Sequence, residues 1–167
     1  MPCVHVASAR HDHGHGRASK VVPGTLDGRP LDRSKKTYGQ AFCIYALSEL
    51  HLATNDAAPL EAALELFGRI ERHAHDPEFG GYLEARAANW SETSNLQLSA
   101  RDMVAAKSMN THLHLLEAYT NLFTAIVDPR VARRLDELIG LFDRRIIRSP
   151  ERATHLDHFF DARWHRL

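Results

Sequence analysis

Cysteine is scarce in this chain: two residues, Cys3 and Cys43, occur among 167. A small secreted domain held by disulfides needs several paired cysteines, so we expect no disulfide framework. An excess of charge is absent too, because 21 Lys and Arg residues balance 21 Asp and Glu residues. A neutral chain has no bulk attraction to nucleic acid or to an anionic membrane surface, and we predict neither partner.

Long hydrophobic runs are also missing. No apolar stretch approaches the roughly 18 residues of a membrane span, and no hydrophobic signal-peptide core is recognisable near the N-terminus. We therefore expect a cytoplasmic protein. The length favours one domain, and the composition, 44% hydrophobic and 25% charged, is typical of a globular fold.

The first 26 residues differ from the rest of the chain. They contain alternating histidines, His11, His13 and His15, in a polar tract broken by glycine. Such a tract can bind metal, but a disordered terminus with incidental histidines is the favoured interpretation. We thus predict a disordered or unrelated segment over residues 1–26 and a folded domain over residues 27–167, with no metal and no cofactor.

Apolar residues after position 36 recur at spacings of three, four and seven, which predicts helices. Asp-Pro and Ser-Pro pairs and Asn55-Asp56 mark the breaks. The expected class is all-α, with two helical hairpins and a loop or short β-hairpin between them, near residues 82–85. The four predicted helices span about residues 36–54, 59–73, 100–127 and 129–148.

The third helix holds an unusual concentration of polar groups. Asn110 and His114 are four residues apart and lie about 40° from each other on one face. His112 is turned roughly 200° from His114, so the two histidines cannot chelate one metal from a regular helix, and we expect His112 to form a hydrogen bond between helices. Glu117 can orient His114 or pair with Lys107, and the sequence leaves both pairings open.

An ordinary structural role is also open to three of the candidate residues, Asn110, His114 and Tyr38. Asn110 and His114 can form an ordinary hydrogen bond between packed helices, because buried polar groups are normally paired. Tyr38 fits an apolar stripe with Phe42 and Tyr45, so its spacing alone favours a core position.

Three strings of the chain resemble a known family. The match is to the cellobiose 2-epimerase branch of the N-acylglucosamine 2-epimerase superfamily, and it covers roughly residues 27–164. The third string is the most specific, and the order and spacing of all three agree with the family. The strings are KKTYGQAF at 35–42, DPEFGGYLEA at 76–85 and KSMNTHLHLLEAYT at 107–120.

This resemblance implies a partial (α/α)6 barrel with a sugar, a disaccharide or monosaccharide, bound at one mouth. The implied reaction inverts C2 of a reducing-end glucose or mannose unit through a cis-enediolate, with histidines moving the proton. The resemblance implies that His114 is a catalytic-site residue for ring opening and positioning. Tyr38, Asn110, Asp102 and Trp90 are the implied substrate-binding residues.

The family's sugar-binding arginine and its two C2 acid/base histidines are expected outside the matched region. We therefore expect the chain to be an internal fragment of an epimerase that is inactive on its own. The alternative is a non-catalytic helical interaction module, which self-associates through apolar helix faces left exposed.

Overall fold

The computed structural model describes residues 4–6, 21–23, 33–96, 103–147 and 156–167. Within these residues the chain forms four α-helices and three small antiparallel strand pairs, as the predicted all-α class requires. The helices are α1 Thr37–Thr54, α2 Ala57–His73, α3 Met109–Ala125 and α4 Pro129–Leu141. The strand pairs are β1 Val4–Val6 with β2 Val21–Pro23, β3 Lys35–Lys36 with β4 Ala85–Arg86, and β5 Lys107–Ser108 with β6 Phe159–Phe160.

The first hairpin, α1 and α2, forms where local signals predicted it. Asn55 ends α1 in the left-handed conformation (φ 57°), which asparagine adopts more readily than most residues. Asp56 then caps α2, since its carboxylate accepts a hydrogen bond from the Ala58 N–H. Two residues thus connect the helices, which is short enough to fold α2 back against α1.

The predicted start of the third helix is wrong. α3 begins at Met109, where the Ser108 hydroxyl accepts the Thr111 N–H as an N-cap. Residues 103–106 are irregular, and Lys107 and Ser108 form β5, which pairs with β6 from the C-terminal segment. Helical periodicity did not show this boundary, because the strand is held by a partner some 50 residues away.

The fourth helix begins as predicted and ends earlier. Asp128 caps α4 through the Arg130 N–H, and Pro129 occupies the first turn. The α-helix stops at Leu141 and continues as a π-helical turn, Phe142–Ile146. The wider turn rotates the following side chains relative to an α-helix, and Ile146 is buried against Phe160 and Trp164 in a small second core.

α1 and α3 lie side by side and run parallel. Near the start of α1, Tyr38 lies against His114, and two helical turns later the Tyr45 carbonyl accepts a hydrogen bond from Asn121. Both pairs differ by 76 positions, which only parallel helices in register produce. The N-terminal ends of α1 and α3 are therefore adjacent.

The main core lies between these helices and their hairpin partners. It is built from small and apolar side chains of all four helices and Tyr82 of the connecting loop. Its fully buried members include Ala41, Ile44, Ala63, Ile70, Leu115, Ala118, Tyr119, Leu122, Val131 and Leu138.

The apolar stripe of α1 does not join this core. Phe42 and Tyr45 are 48% and 44% exposed, and Leu52 is exposed as well. Ile139 of α4 is also exposed. No helix in the described part of the chain is both long and apolar enough to cross a membrane.

β1 and β2 fall within the segment predicted to be disordered or unrelated. They pair antiparallel, with His5 opposite Val22. The division of the chain at residue 26 stays a prediction. The metal-binding candidates His11, His13 and His15 lie outside the described residues.

Candidate functional site

Three aromatic rings meet where α1 and α3 begin. The His114 ring centroid lies 4.5 Å from that of Phe42 and 6.5 Å from that of Tyr38, and the Tyr38 and Phe42 rings meet edge to face at 6.1 Å. Tyr38 is the second residue of α1, and His114 lies one turn inside α3. The structure thus brings together two of the five residues that the resemblance singled out, Tyr38 and His114, which are 76 positions apart in the sequence.

Asn110 lies at the same end of α3. It is the second residue of the helix, one turn before His114 and on the same face, and it is partly exposed. Among the described residues, no protein group hydrogen-bonds its side-chain amide. Because an amide both donates and accepts, Asn110 can hydrogen-bond a polar ligand at this surface.

His114 takes Glu117 as its partner. The Nδ1 atom lies 3.0 Å from Glu117 Oε2, and the His114 side chain is 22% exposed. Lys107, the other partner considered for Glu117, is committed elsewhere: its Nζ lies 2.7 Å from Asp76 Oδ2. The structure therefore settles the pairing that the sequence left open.

His112 faces the protein interior. Its Nε2 accepts the Tyr82 backbone N–H at 2.9 Å, and its Nδ1 donates to the Ser108 carbonyl at 2.7 Å. Since a carbonyl cannot donate and a peptide N–H cannot accept, the ring is neutral with its proton on Nδ1. Burial lowers the pKa of His112 to about 4. The prediction that His112 turns away from His114 is confirmed, but its partners are a loop and its own helix, not a second helix.

The same loop is held from two further sides. Lys107 donates to the carbonyls of Gly80 and Ala162 as well as to Asp76, each at 2.7 Å, and is fully buried. Glu137 accepts the Gly81 N–H at 2.9 Å. Burial would raise the pKa of Glu137, but hydrogen bonds from His75, Gly81 and Arg134 together lower it to about 2. These contacts fix the segment between α2 and β4.

Trp90 lies apart from the aromatic cluster at the site. Its ring stacks on His73 at 5.2 Å, and the Lys35 ammonium lies 5.2 Å from its centroid. Its backbone is left-handed (φ 70°), a conformation that a bulky residue holds only when its surroundings fix it. No described contact joins Trp90 to Tyr38, Asn110 or His114, so its substrate-binding role stays a prediction. Asp102 lies outside the described residues.

Glu84 is a buried carboxyl group that sequence reasoning did not single out. Its Oε2 accepts the Thr111 hydroxyl at 2.8 Å, and its backbone carbonyl accepts the N–H of Thr37, the first residue of α1. Glu84 therefore joins the two helix starts that carry the site. Its Oε1 is buried and has no hydrogen-bond partner among the described residues. Burial raises the pKa of Glu84 to about 7, against the lowering effect of Thr111 and Lys36.

This raised pKa predicts a pH-dependent stability. Between its ordinary value of 4.5 and about 7, the folded chain holds a proton on Glu84 that the unfolded chain has lost. The free energy of unfolding therefore falls as the pH rises through this window, by about 3 kcal/mol from this group. Glu84→Gln keeps an acceptor for Thr111 and cannot ionise, so its stability relative to the unmodified chain should rise by that amount between pH 4 and pH 8.

Urea unfolding followed by circular dichroism at both pH values measures this difference. All other titrating groups are shared by the two chains and cancel. Parallel stability profiles for the two chains would show that the Glu84 pKa is not raised.

A metal centre is not assembled by the described residues. Nowhere among these residues do three or more His, Cys, Asp or Glu side chains lie close enough together to hold a metal ion. The residues that sequence reasoning missed are Phe42 and Glu84. Phe42 follows Tyr38 by one helical turn and had been assigned to an apolar stripe, and Glu84 lies in a string quoted for the resemblance.

Comparison with known proteins gives one family. The family model of N-acylglucosamine 2-epimerase matches residues 4–167. A cellobiose 2-epimerase of Bacteroides fragilis is 45% identical over 137 residues, 82% of this chain and 34% of that protein. One from Dictyoglomus turgidum is 40% identical over 136 residues, 81% of this chain and 34% of that protein. The chain therefore spans about a third of the length of these curated relatives.

Solved structures agree. The cellobiose 2-epimerase of Spirochaeta thermophila superposes with a TM-score of 0.80 at 37% identity, over 92% of this chain and 38% of the other. The enzyme from Bacillus thermoamylovorans gives 0.80 at 34% identity, over 90% and 39%. The predicted partial (α/α)6 barrel is confirmed by this likeness, and the chain belongs to the N-acylglucosamine 2-epimerase family.

Proposed function

We propose that this chain supplies part of the sugar site of an enzyme that inverts C2 of a reducing-end glucose or mannose unit, as in cellobiose. The observation that carries the proposal is the meeting of Tyr38 and His114 at the start of two parallel helices, with Asn110 one turn away. These are three of the residues to which the resemblance assigns sugar contacts. The named relatives, cellobiose 2-epimerases, support the substrate class.

The chemistry requires an open-chain sugar. Its aldehyde makes the C2 proton acidic, a base removes that proton to give a cis-enediolate, and an acid returns one to the opposite face. Aromatic rings such as Tyr38 and Phe42 offer an apolar surface to a sugar ring. Asn110 and His114 can hydrogen-bond its hydroxyl groups and hold the chain of carbons in place for the reaction.

We propose that the C2 proton transfer belongs to residues other than His112 and His75. Among the described histidines, only His114 lies in the aromatic cluster at this site. His112 is buried and held by two backbone groups, and His75 is bound to Glu137 at 3.0 Å. A base that shuttles a proton needs a free ring nitrogen near the substrate. Both nitrogens of His112 are occupied, and the His75 ring packs against Tyr82 and not against the aromatic cluster. The whole reaction is thus proposed for a protein of the relatives' length.

A chimera tests this function. The 137 matching residues of the Bacteroides fragilis enzyme are replaced by those of this chain, and cellobiose is incubated in D2O. We expect glucosyl-mannose to form and deuterium to enter C2. His114→Ala in the chimera should lower kcat/KM by about 100-fold or more, since it removes a group that contacts the reacting sugar.

His51→Ala is the matched control, because His51 lies in the last turn of α1, at the opposite end of the helix from Tyr38, and should leave turnover unchanged. Full activity of the His114→Ala chimera would remove the main site assignment. A folded but inactive unmodified chimera would favour the alternative, a helical interaction module. That alternative is supported by the exposed Phe42, Tyr45, Leu50 and Leu52 of α1.

A further inference from the structure

The pairing of His114 with Glu117 determines how the imidazole can act. Glu117 lies three residues after His114 on α3, and its Oε2 is 3.0 Å from Nδ1. The alternative partner of Glu117, Lys107, is fully buried and bound to Asp76 and two carbonyls. Of the two candidate partners of Glu117, only His114 is therefore within reach of its carboxylate.

A carboxylate oxygen accepts hydrogen bonds and does not donate them, so Nδ1 of His114 carries the proton of this contact. In the neutral ring the other nitrogen, Nε2, then holds a lone pair. The hydrogen bond made by one ring nitrogen thus determines the chemistry of the other. His112 shows the same tautomer for a different reason, since its Nδ1 donates to the Ser108 carbonyl.

The environment of His114 leaves Nε2 available to a ligand. The ring packs against Phe42 and Tyr38, and in the described part of the chain no protein group hydrogen-bonds Nε2. The amide of Asn110 lies one turn earlier on the same helix face. The two side chains together present an unprotonated nitrogen and an amide to the same surface.

We propose that Glu117 is a positioning residue, which holds His114 as the Nδ1–H tautomer and so makes Nε2 a hydrogen-bond acceptor for a sugar hydroxyl. The inference rests on the proposed sugar site and assigns that site its acceptor. Glu117 does not touch the sugar in this role. It acts through the imidazole, as carboxylates and carbonyls do behind other functional histidines.

The tautomer is measured on this chain, labelled with 15N, by long-range proton–nitrogen correlation at alkaline pH, where imidazole rings are neutral. We expect an excess of the Nδ1–H form of about fivefold, because a hydrogen bond to a charged carboxylate outweighs the intrinsic preference of a free imidazole for Nε2–H. Glu117→Ala should reverse the preference towards Nε2–H, which a free imidazole favours. Glu117→Gln keeps an acceptor oxygen and should retain Nδ1–H.

Two controls are internal to the experiment. His112 should remain Nδ1–H in every variant, because Ser108 and Tyr82 hold it. Glu61→Ala removes an exposed glutamate of α2 and should not change His114. An unmodified chain with His114 as Nε2–H, or a Glu117→Ala chain with an unchanged tautomer, would overturn the proposal.

Addition of cellobiose separates this inference from the proposed function. We expect the Nε2 resonance of His114 to shift on titration and the Nδ1 resonance to move less. Shifts at Tyr38 and Asn110 without a shift at Nε2 would overturn the acceptor role and leave the sugar site standing. A chain in which none of the three residues responds would count against the sugar site, while the tautomer measurement would still decide the role of Glu117.

Discussion

Lys107→Met is expected to lower the free energy of unfolding by about 3–5 kcal/mol, the cost of leaving one member of a buried ion pair alone. The ammonium of Lys107 is fully buried and donates to Asp76, Gly80 and Ala162 at 2.7 Å each. It therefore joins β5, the loop after α2 and the C-terminal segment. Methionine fills a similar volume but leaves a carboxylate and two carbonyls without their donor.

Urea unfolding followed by circular dichroism measures the loss. Arg69→Met is the matched control, because it breaks an exposed pair with Glu65 within α2, which should cost less than about 0.5 kcal/mol. The double variant Lys107→Met/Asp76→Asn removes the unpaired charge and should recover part of the loss. If Lys107→Met cost no more than the Arg69 control, the ammonium would not be the link between these three segments.

Gly81→Ala is expected to destabilise the chain by about 3 kcal/mol, from a left-handed backbone and from overpacking together. Gly81 has a φ of 76°, and a Cβ there would lie 2.6 Å from both His112 Nε2 and Trp164 Cζ2. Neither ring can move freely. His112 is hydrogen-bonded through both nitrogens, and the Trp164 N–H donates to the Phe79 carbonyl.

Gly68→Ala provides the opposite case in the same thermal or urea unfolding experiment. Gly68 lies within α2, and a Cβ there would meet no atom within 4 Å. Alanine should therefore stabilise the chain by up to about 1 kcal/mol through its higher helix propensity. Equal effects at the two glycines would mean that the close approach of the loop to His112 and Trp164 is wrong.

The helix hairpins illustrate what local sequence predicts well. Asn55 and Asp56 end one helix and cap the next, and Asp128 caps α4 ahead of Pro129, all within a few residues of their partners. The start of α3 was misplaced by about nine residues because Lys107 and Ser108 pair with Phe159 and Phe160. The two strands are about 50 residues apart, so a helical pattern read over roughly 10 to 20 residues cannot include both of them.

The candidate site shows the same division. Helical spacing correctly placed Asn110 and His114 on one face and His112 on another. It could not choose between His114 and Lys107 as the partner of Glu117, because Asp76, the actual partner of Lys107, is 31 residues away from it in sequence. Glu84 carried no signal as a single residue in a loop, and its role follows only from its contacts with the starts of α1 and α3.

By itself, the sequence determined the helical class, the breaks at Asn55-Asp56 and at Asp128-Pro129, and the family, since these depend on short-range geometry and on strings of adjacent residues. The tertiary structure alone decided which polar groups are buried and which face the site. It put His112 and Lys107 inside as links to the loop after α2, and it placed Tyr38, Phe42 and His114 together at the surface. The physical reason is that burial and pairing are set by long-range contacts, which bring together groups that no local pattern relates.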